Sequence, residues 1–515
     1  MHHAKALLLL ASLLQHSVAQ DRASLDGVWS LAHDAAAGTE RTYDQTITVP
    51  SAFETVLGHA FDGIAWYRRT LPLSTANKDR SVWIEFGAVA THATVFCNGV
   101  ELGEHLGGWT PFAVEVTSAL QWNGKDTLEV RVDERVGHNT QGFLPIVQPH
   151  FGGIWQSVGM ALDRGAALDR TKLTTFGLLG ADDSGRCRGR VAVRTSTQGI
   201  ARAANLRVEV VVRDGARSVG SFAAALSSKT DLDYEFAVPA VRPWSPDTPN
   251  LYSVSVRLLD GDDELDCEQR SIGFRSLAAD GTTILWNRKP LSVRGVLHWG
   301  FSPPQLAPPS DEAHWRTQLE DLKSLGFNTL KCCLFVPPPC VYDLCDELGL
   351  LCWQEYPTWH PKLDQAHKQE LLREYGEFFA ADGSHPSVAF RSITCETGHD
   401  ADLDVVTALF DACHAAVPET LVVDDSSWIG WQRITDFWDE HPYGNNRWWP
   451  RRLSEFAQHI EKNGKKPLLL GECLAADTWV DRAAFEALPP PMPWWRPICL
   501  QDQVRFEDWV VSEFG

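Results

Sequence analysis

At about 150 residues per domain, a chain of 515 residues sets an expectation of three domains. Its balance of 44% hydrophobic and 22% charged residues, with 38 Gly and 29 Pro, excludes collagen-like, coiled-coil and disordered chains. A net charge of −21 repels phosphate backbones and sets aside a nucleic-acid partner.

The first residues read as a targeting segment. Lys5 precedes the apolar run ALLLLASLL, and Ser17-Val18-Ala19 supplies small residues for cleavage, so residues 1–19 are predicted to be a signal peptide. No later run reaches the ~18–20 apolar residues of a membrane span. The expectation is a secreted or periplasmic protein that does not insert in the membrane. Twelve cysteines in such a chain raise the question of disulfides, yet they form no CxxC pair and no zinc spacing. Cys332, Cys333, Cys340, Cys345 and Cys352 lie on segments that read as buried strand and helix, where a thiol serves as a small core hydrophobe.

From residue 24 to 275 short alternating runs such as SVWIEF, ATVFCNG, TLEVRVD, LRVEVVVRDG and LYSVSVRLLDG are divided by turn signals. No long helical pattern interrupts them, which predicts antiparallel β-sandwiches at 24–165 and 166–275, meeting near 161–173. From 276 to 515 strands alternate with helices. SDEAHWRTQLEDLKSLG places Trp315, Leu319 and Leu322 on one helix face and stops at Gly326. SVRGVLHW, FNTLKCCLF, LLCWQEYP, SVAFRSITCE, LVVDD, ITDFWDEH and PLLLGE read as seven strands, apolar on both faces as covered parallel strands must be. Consecutive βα units of this kind predict a (β/α)₈ barrel. The eighth strand is not found, so the barrel is read as incomplete at its carboxyl end; the tail FEDWVVSEFG reads as helix.

Active sites of such barrels lie at the carboxyl ends of the strands. Strand four ends on Glu396 and strand seven on Glu472. A carboxylate closing an apolar strand is costly unless paired or functional. Two at one mouth suit glycoside hydrolysis, in which one protonates the leaving oxygen and the other attacks the anomeric carbon or activates water. Structural carboxylates bridging to Arg are the plainer alternative.

These residues sit in a sequence that resembles glycoside hydrolase family 2, the family of β-galactosidases, β-glucuronidases and β-mannosidases. NGVELGEHLGGWTPFAVEVTSAL, with Asn98-Gly99, His105, Gly107-Gly108 and Pro111-Phe112, looks like the family's sugar-binding jelly roll, closed by FGGIWQSV at Phe151–Val158. RPWSPDTPNLYSVSVRL, with Trp244, Pro246, Pro249, Leu251 and Tyr252, looks like its immunoglobulin-like domain, followed by IGFR at Ile272–Arg275. VYDLCDELGLLCWQEYP, the HPS before strand four, HPY on strand six and PLLLGE on strand seven correspond to its barrel. The resemblance covers the chain from about residue 24 onward. It implies Glu396 as acid/base, Glu472 as nucleophile and a retaining mechanism, with the carboxyl carbons about 5–5.5 Å apart. A β-galactosidase-like activity is the leading expectation.

One departure concerns Cys395, which stands where the family has an Asn whose amide meets the sugar 2-hydroxyl; a thiol is a weak donor and acceptor. Cys473 follows the nucleophile position where an aromatic is common. His441 and Tyr443 occupy strand-six positions that touch nucleophile or sugar in the family, while Glu355 and His360, beside Trp359, follow strand three at the rim. Each also reads as an ordinary buried or structural residue. Nine of the 21 Trp fall between Trp428 and Trp509, with Trp428, Trp431, Trp448-Trp449 and Trp479 on loops after strands five to seven. Indole faces stack on sugar C–H faces, so Trp428 and Trp479 join the substrate-binding candidates.

No nucleotide, haem or flavin motif is present, so no cofactor is expected; the resemblance leaves room for a divalent cation near Glu396, without an evident ligand set. The rival function is a non-catalytic carbohydrate-binding protein on the same scaffold, motivated by Cys395. A structural assembly module would need long apolar stripes, which the sequence lacks.

Overall fold

The computed structural model describes residues 22–33, 41–142, 150–196, 205–226, 230–443 and 449–473, together with Ala483. The leader read at 1–19 and the tail helix lie outside the described residues.

Two antiparallel sheets form the first sandwich. One runs in the order Arg22–Ser24, Val158–Asp163, Ser81–Phe86, Phe112–Glu115; the other places six strands as Gln45–Val49, Gly27–His33, Ile64–Leu71, Asp126–Asp133, His92–Cys97, Val100–Leu106. Alternation in the sequence becomes alternation in burial: DTLEVRVD buries Asp126, Leu128, Val130 and Val132 and leaves the residues between them half-buried. Trp29, Tyr67, Phe86, Val95 and Val130 fill the space between the sheets. At about 1.5–3 kcal/mol for each large apolar side chain buried, this interior is the main force holding the two layers face to face.

The second sandwich follows at Ala166–Leu168. Four strands, Arg217–Ala225, Leu206–Asp214, Tyr252–Asp260 and Asp263–Ile272, make one antiparallel sheet; Ala166–Leu168, Gly185–Thr195, Thr174–Leu179, Asp231–Val238 and the short Phe274–Arg275 make the other. Val208, Val210, Val212, Val254, Val256, Tyr234 and Phe274 pack between them. Arg275 leaves this sandwich buried. Its Nε donates to Pro386 O at 2.9 Å, and its other nitrogens donate to Glu419 O at 2.6 Å and Val388 O at 3.3 Å.

A small meander at Leu277–Leu291 leads into the βα region. Its elements are β1 (Gly295–His298), α1 (Glu312–Ser324), β2 (Thr329–Cys332), α2 (Pro339–Leu348), β3 (Leu351–Glu355), α3 (Lys368–Asp382), β4 (Val388–Cys395), α4 (Leu403–Ala416), β5 (Leu421–Ser426), β6 (Trp438–Glu440), α5 (Trp449–Asn463) and β7 (Leu468–Leu470). Strands β1 to β5 form one parallel sheet in chain order, and β6 pairs parallel with β7. Among the described residues the seven predicted strands are therefore joined as five and two.

Local chemistry sets the helix ends. Asp311 caps α1 by accepting from Ala313 N at 3.0 Å, and Trp315, Leu319 and Leu322, one helical turn apart, are its buried face. Helix α2 ends at Gly349 with φ +72°, where an added Cβ would lie 2.3 Å from Pro246 O, so only glycine fits. Helices α2, α3 and α4 cover the sheet with Tyr342, Tyr375, Phe378, Val405 and Leu409, which pack with Tyr356 just past β3. Eleven described cysteines carry no disulfide; Cys332, Cys333, Cys345 and Cys352 are buried in this layer, and Cys340 is half-buried.

Candidate active site

The parallel strands deliver their polar residues to one end. Glu396 follows β4 with φ +49°, a left-handed conformation that costs a non-glycine residue about 1–3 kcal/mol and turns the backbone sharply off the strand. Its N–H donates to Ser426 O on the neighbouring β5 at 3.0 Å. His441 lies just past β6, and Glu472 lies two residues past β7.

The imidazole of His441 stands between the two glutamates. Nδ1 is 3.2 Å from Glu396 Oε1 and 3.8 Å from Glu472 Oε2. One ligating atom from each of Glu396, His441 and Glu472 lies within 4.8 Å of the others. On the far side of the ring Nε2 faces Ser426 Oγ at 3.1 Å and Asp439 Oδ2 at 3.8 Å. Burial works against the imidazolium, but the hydrogen bond to Glu396 and the charges of Asp439 and Glu472 outweigh it and raise the His441 pKa above its usual value.

That direction fixes a pH dependence. A raised folded-state pKa stabilises the fold fully below the unfolded value of about 6.5, and this contribution is lost as pH rises through the higher folded value. Between pH 6 and 9 the parent should lose stability more steeply than His441→Gln in urea titrations. Parallel pH profiles for the two proteins would show that the imidazolium is not held by these carboxylates.

Glu472 is held by four groups. Tyr443 donates its hydroxyl to Oε2, Cys333 Sγ approaches Oε1 at 3.6 Å, and the Lys331 ammonium stands 3.8 Å from Oε1, opposite His441. Burial alone would raise this carboxyl, yet Lys331, His441 and the Tyr443 and Cys333 hydrogen bonds together hold it below the usual carboxylate range. Lys331 also reaches Glu355 Oε2 at 2.8 Å and donates to Ser426 Oγ at 3.0 Å. Burial opposes the ammonium, but Glu355 and then Glu472 overcome it and keep the lysine charged. Asp439 accepts from Ser426 Oγ and Gly471 N, each at 2.7 Å, and burial pushes its carboxyl up to about 6.

Several predicted positions move. Glu355 is no rim residue: it is 0% exposed and sits beneath the carboxylate pair against Lys331 and Cys333. His360 is exposed and rests on Trp359, and it is Trp359 whose Nε1 donates to Glu396 Oε2 at 3.3 Å. Cys395 is 1% exposed, packed with Cys333, Leu334, Leu297 and Trp359, so its thiol lies below the surface instead of lining an open cleft. Cys473 is half-buried beyond Glu472. Tyr443 is exposed, and Trp428 is half-buried with its ring 4.6 Å from Trp431 and 6.2 Å from His441. Trp449 opens α5, while Trp448 and Trp479 lie outside the described residues.

Sequence reasoning missed Lys331, Cys333, Ser426 and Asp439. A usable signal existed for Lys331, since a lysine inside a strand apolar on both faces has to find carboxylates.

Residues 59–143 match the family model described as glycosyl hydrolase 2 galactose-binding domain-like, and residues 180–275 match that of glycosyl hydrolases family 2. A β-galactosidase of Thermoanaerobacter pseudethanolicus is 26% identical over 361 residues, 67% of this chain and 47% of its own length. A β-glucuronidase of Bacteroides fragilis is 22% identical over 98% of this chain and 75% of its own. The chain spans between 33% and 47% of the length of several curated relatives that it matches. Among solved structures, a β-galacturonidase of Eisenbergiella tayi superposes with a TM-score of 0.74 at 22% identity, covering 89% of this chain and 82% of that one. A β-glucuronidase of Bifidobacterium dentium gives 0.74 at 20%, covering 89% and 84%.

Proposed function

The chain belongs to glycoside hydrolase family 2, and from that premise we propose that it hydrolyses β-linked glycosides with retention of configuration. The observation that carries the reading is the pair of glutamates from the ends of β4 and β7, facing each other across His441 within 4.8 Å. A short separation of this kind leaves room for an anomeric carbon and no room for an intervening water, as direct nucleophilic attack requires. We read β1 to β7 as strands of a (β/α)₈ barrel, with this pair at its mouth.

In the proposed mechanism Glu472 is the nucleophile. Lys331, His441 and Tyr443 keep it ionised, and it attacks the anomeric carbon to form a glycosyl-enzyme. Glu396, oriented by Trp359 and His441, gives its proton to the departing glycosidic oxygen. The resulting carboxylate then takes a proton from water, which attacks the same carbon and releases Glu472. No cofactor is required. Lys331 and His441 balance the carboxylate charge, and a divalent cation across Glu396, His441 and Glu472 would engage both carboxylates and block their separate roles.

The first substrate we assign is a β-galactoside, with β-hexuronides next, because relatives of both descriptions match most of the chain. A panel of aryl β-galactosides, β-glucuronides and β-mannosides decides among them. Glu396→Gln should lower kcat on substrates with poor leaving groups by about 10²–10⁴-fold. Added azide should restore turnover on activated substrates, releasing a β-glycosyl azide. An unchanged rate on poor leaving groups would remove Glu396 from the acid/base role. Binding of sugars by the parent without release of any product would instead favour a carbohydrate-binding protein on this scaffold.

A further inference from the structure

Apart from the strand-end site, the first sandwich holds a second group of ligating side chains. Glu54 opens the one-turn helix Glu54–Leu57 and is 1% exposed; Gly152 N donates to its Oε1 at 2.9 Å. Glu134 immediately follows the strand Asp126–Asp133, is 0% exposed, and its N–H donates to Gly63 O at 3.2 Å. His150 lies beside the short strand Gly153–Ile154 and turns Nδ1 to Glu134 Oε1. One ligating atom from each of the three lies within 4.8 Å of the others.

The group is short of donors. Among the described residues, neither Glu54 Oε2 nor Glu134 Oε2 meets a hydrogen-bond partner, although both are fully buried. An unpartnered buried carboxylate oxygen is among the most expensive groups a fold can hold. Three separate segments bring them together, so no single turn explains the grouping.

We propose that Glu54, Glu134 and His150 bind a divalent transition-metal cation, zinc or manganese. Two carboxylate oxygens and one imidazole nitrogen form a mixed donor set that such ions accept, whereas calcium and magnesium prefer oxygen alone. A dication neutralises the two carboxylates with His150 uncharged. The ion ties the end of one sheet strand to the start of another segment. From Glu134 the chain runs on to Thr140, whose carbonyl accepts from Trp109 Nε1 at 2.9 Å. It reaches Gly142, whose N–H donates to Pro357 O at 2.8 Å, two residues beyond Glu355. The cation thus fixes the base of a segment that touches the βα region beside the carboxylate site.

The test uses the full chain, stripped with EDTA and dialysed against zinc or manganese chloride at micromolar concentration. Metal content by mass spectrometry should reach one ion per chain at this site, and the thermal midpoint should rise by several degrees on reloading. Glu134→Gln and His150→Ala should each lose the retained ion and the thermal rise. Glu134→Gln removes a buried charge and keeps the shape, so it is expected to fold. Glu472→Gln should keep both responses, which separates this site from the carboxylates at the strand ends. A parent that retains no ion overturns the proposal, and so does one whose ion and thermal rise persist undiminished in both variants. Neither readout depends on catalysis, so the outcome is independent of the glycosidase reading.

Discussion

Glu472→Gln should lower kcat on an aryl β-galactoside by roughly 10⁴- to 10⁶-fold, the range seen when a hydrolase loses a member of its nucleophilic machinery. The amide keeps the size of the side chain and can still accept from Tyr443, but it offers no charged oxygen to the anomeric carbon. Everything arranged around Glu472 favours the anion: the Lys331 ammonium at 3.8 Å from Oε1, the His441 ring at 3.8 Å from Oε2 and the Tyr443 hydroxyl. These groups have no comparable effect on an amide. In the smaller Glu472→Gly variant, azide should enter from the face the glutamate vacates and release a glycosyl azide of the α configuration. The comparison is kcat for parent and variants on the same substrate, with the product anomer read by NMR. A Glu472→Gln protein that retains more than a few per cent of parental kcat would end its assignment as nucleophile.

Lys331→Met should destabilise the protein by about 3–5 kcal/mol, the cost of leaving a buried partner charge uncompensated. The lysine side chain is 4% exposed and that of Glu355 is 0% exposed, with 2.8 Å between ammonium and carboxylate. Methionine fills most of the same volume, so packing loss is small and the electrostatic part dominates. What remains is Glu355 against the Cys333 thiol, together with Glu472 and Asp439 close by. The double variant Lys331→Met/Glu355→Gln should recover a large share of the loss, because the stranded charge is gone. Urea unfolding of the four proteins of this cycle gives the coupling directly. A loss below about 1 kcal/mol would mean that the pair behaves like a solvated surface bridge.

These two residues show where sequence was sufficient and where it failed. Glu472 and Glu396 were legible because each ends an apolar strand, a position that topology carries to the same edge. The domain grammar was legible for a related reason: alternation of period two survives in DTLEVRVD, and period 3.6 in α1, whatever the neighbours are. Lys331 was hidden because its partners stand 24 and 141 positions later in the chain, and nothing local marks them as neighbours. Glu355 misled for the converse reason. Ending a strand looked like reaching a rim, but β3 ends below the level of Glu396, and the isolated bridge between Trp359 and Cys395 carries the next segment over it. His360 drew attention as the more chemical member of a Trp-His pair, while the hydrogen bond to Glu396 comes from the indole.

Arg275 makes the second sandwich and the βα layer hard to treat as separable modules. Its guanidinium fills three carbonyl positions, at Pro386, Val388 and Glu419, that belong to the amino-terminal approaches of β4 and β5. With Arg275 replaced by an apolar residue, the Pro386 and Glu419 carbonyls would lose this donor, at about 1–3 kcal/mol for each group left unsatisfied. The strand that ends in Glu396 is thus founded, at its opposite end, on a residue from another domain. Recombination breakpoints in this architecture therefore belong before residue 166 and not at 276. A chimera joined at 276 would inherit the strand that ends in Glu396 without its footing.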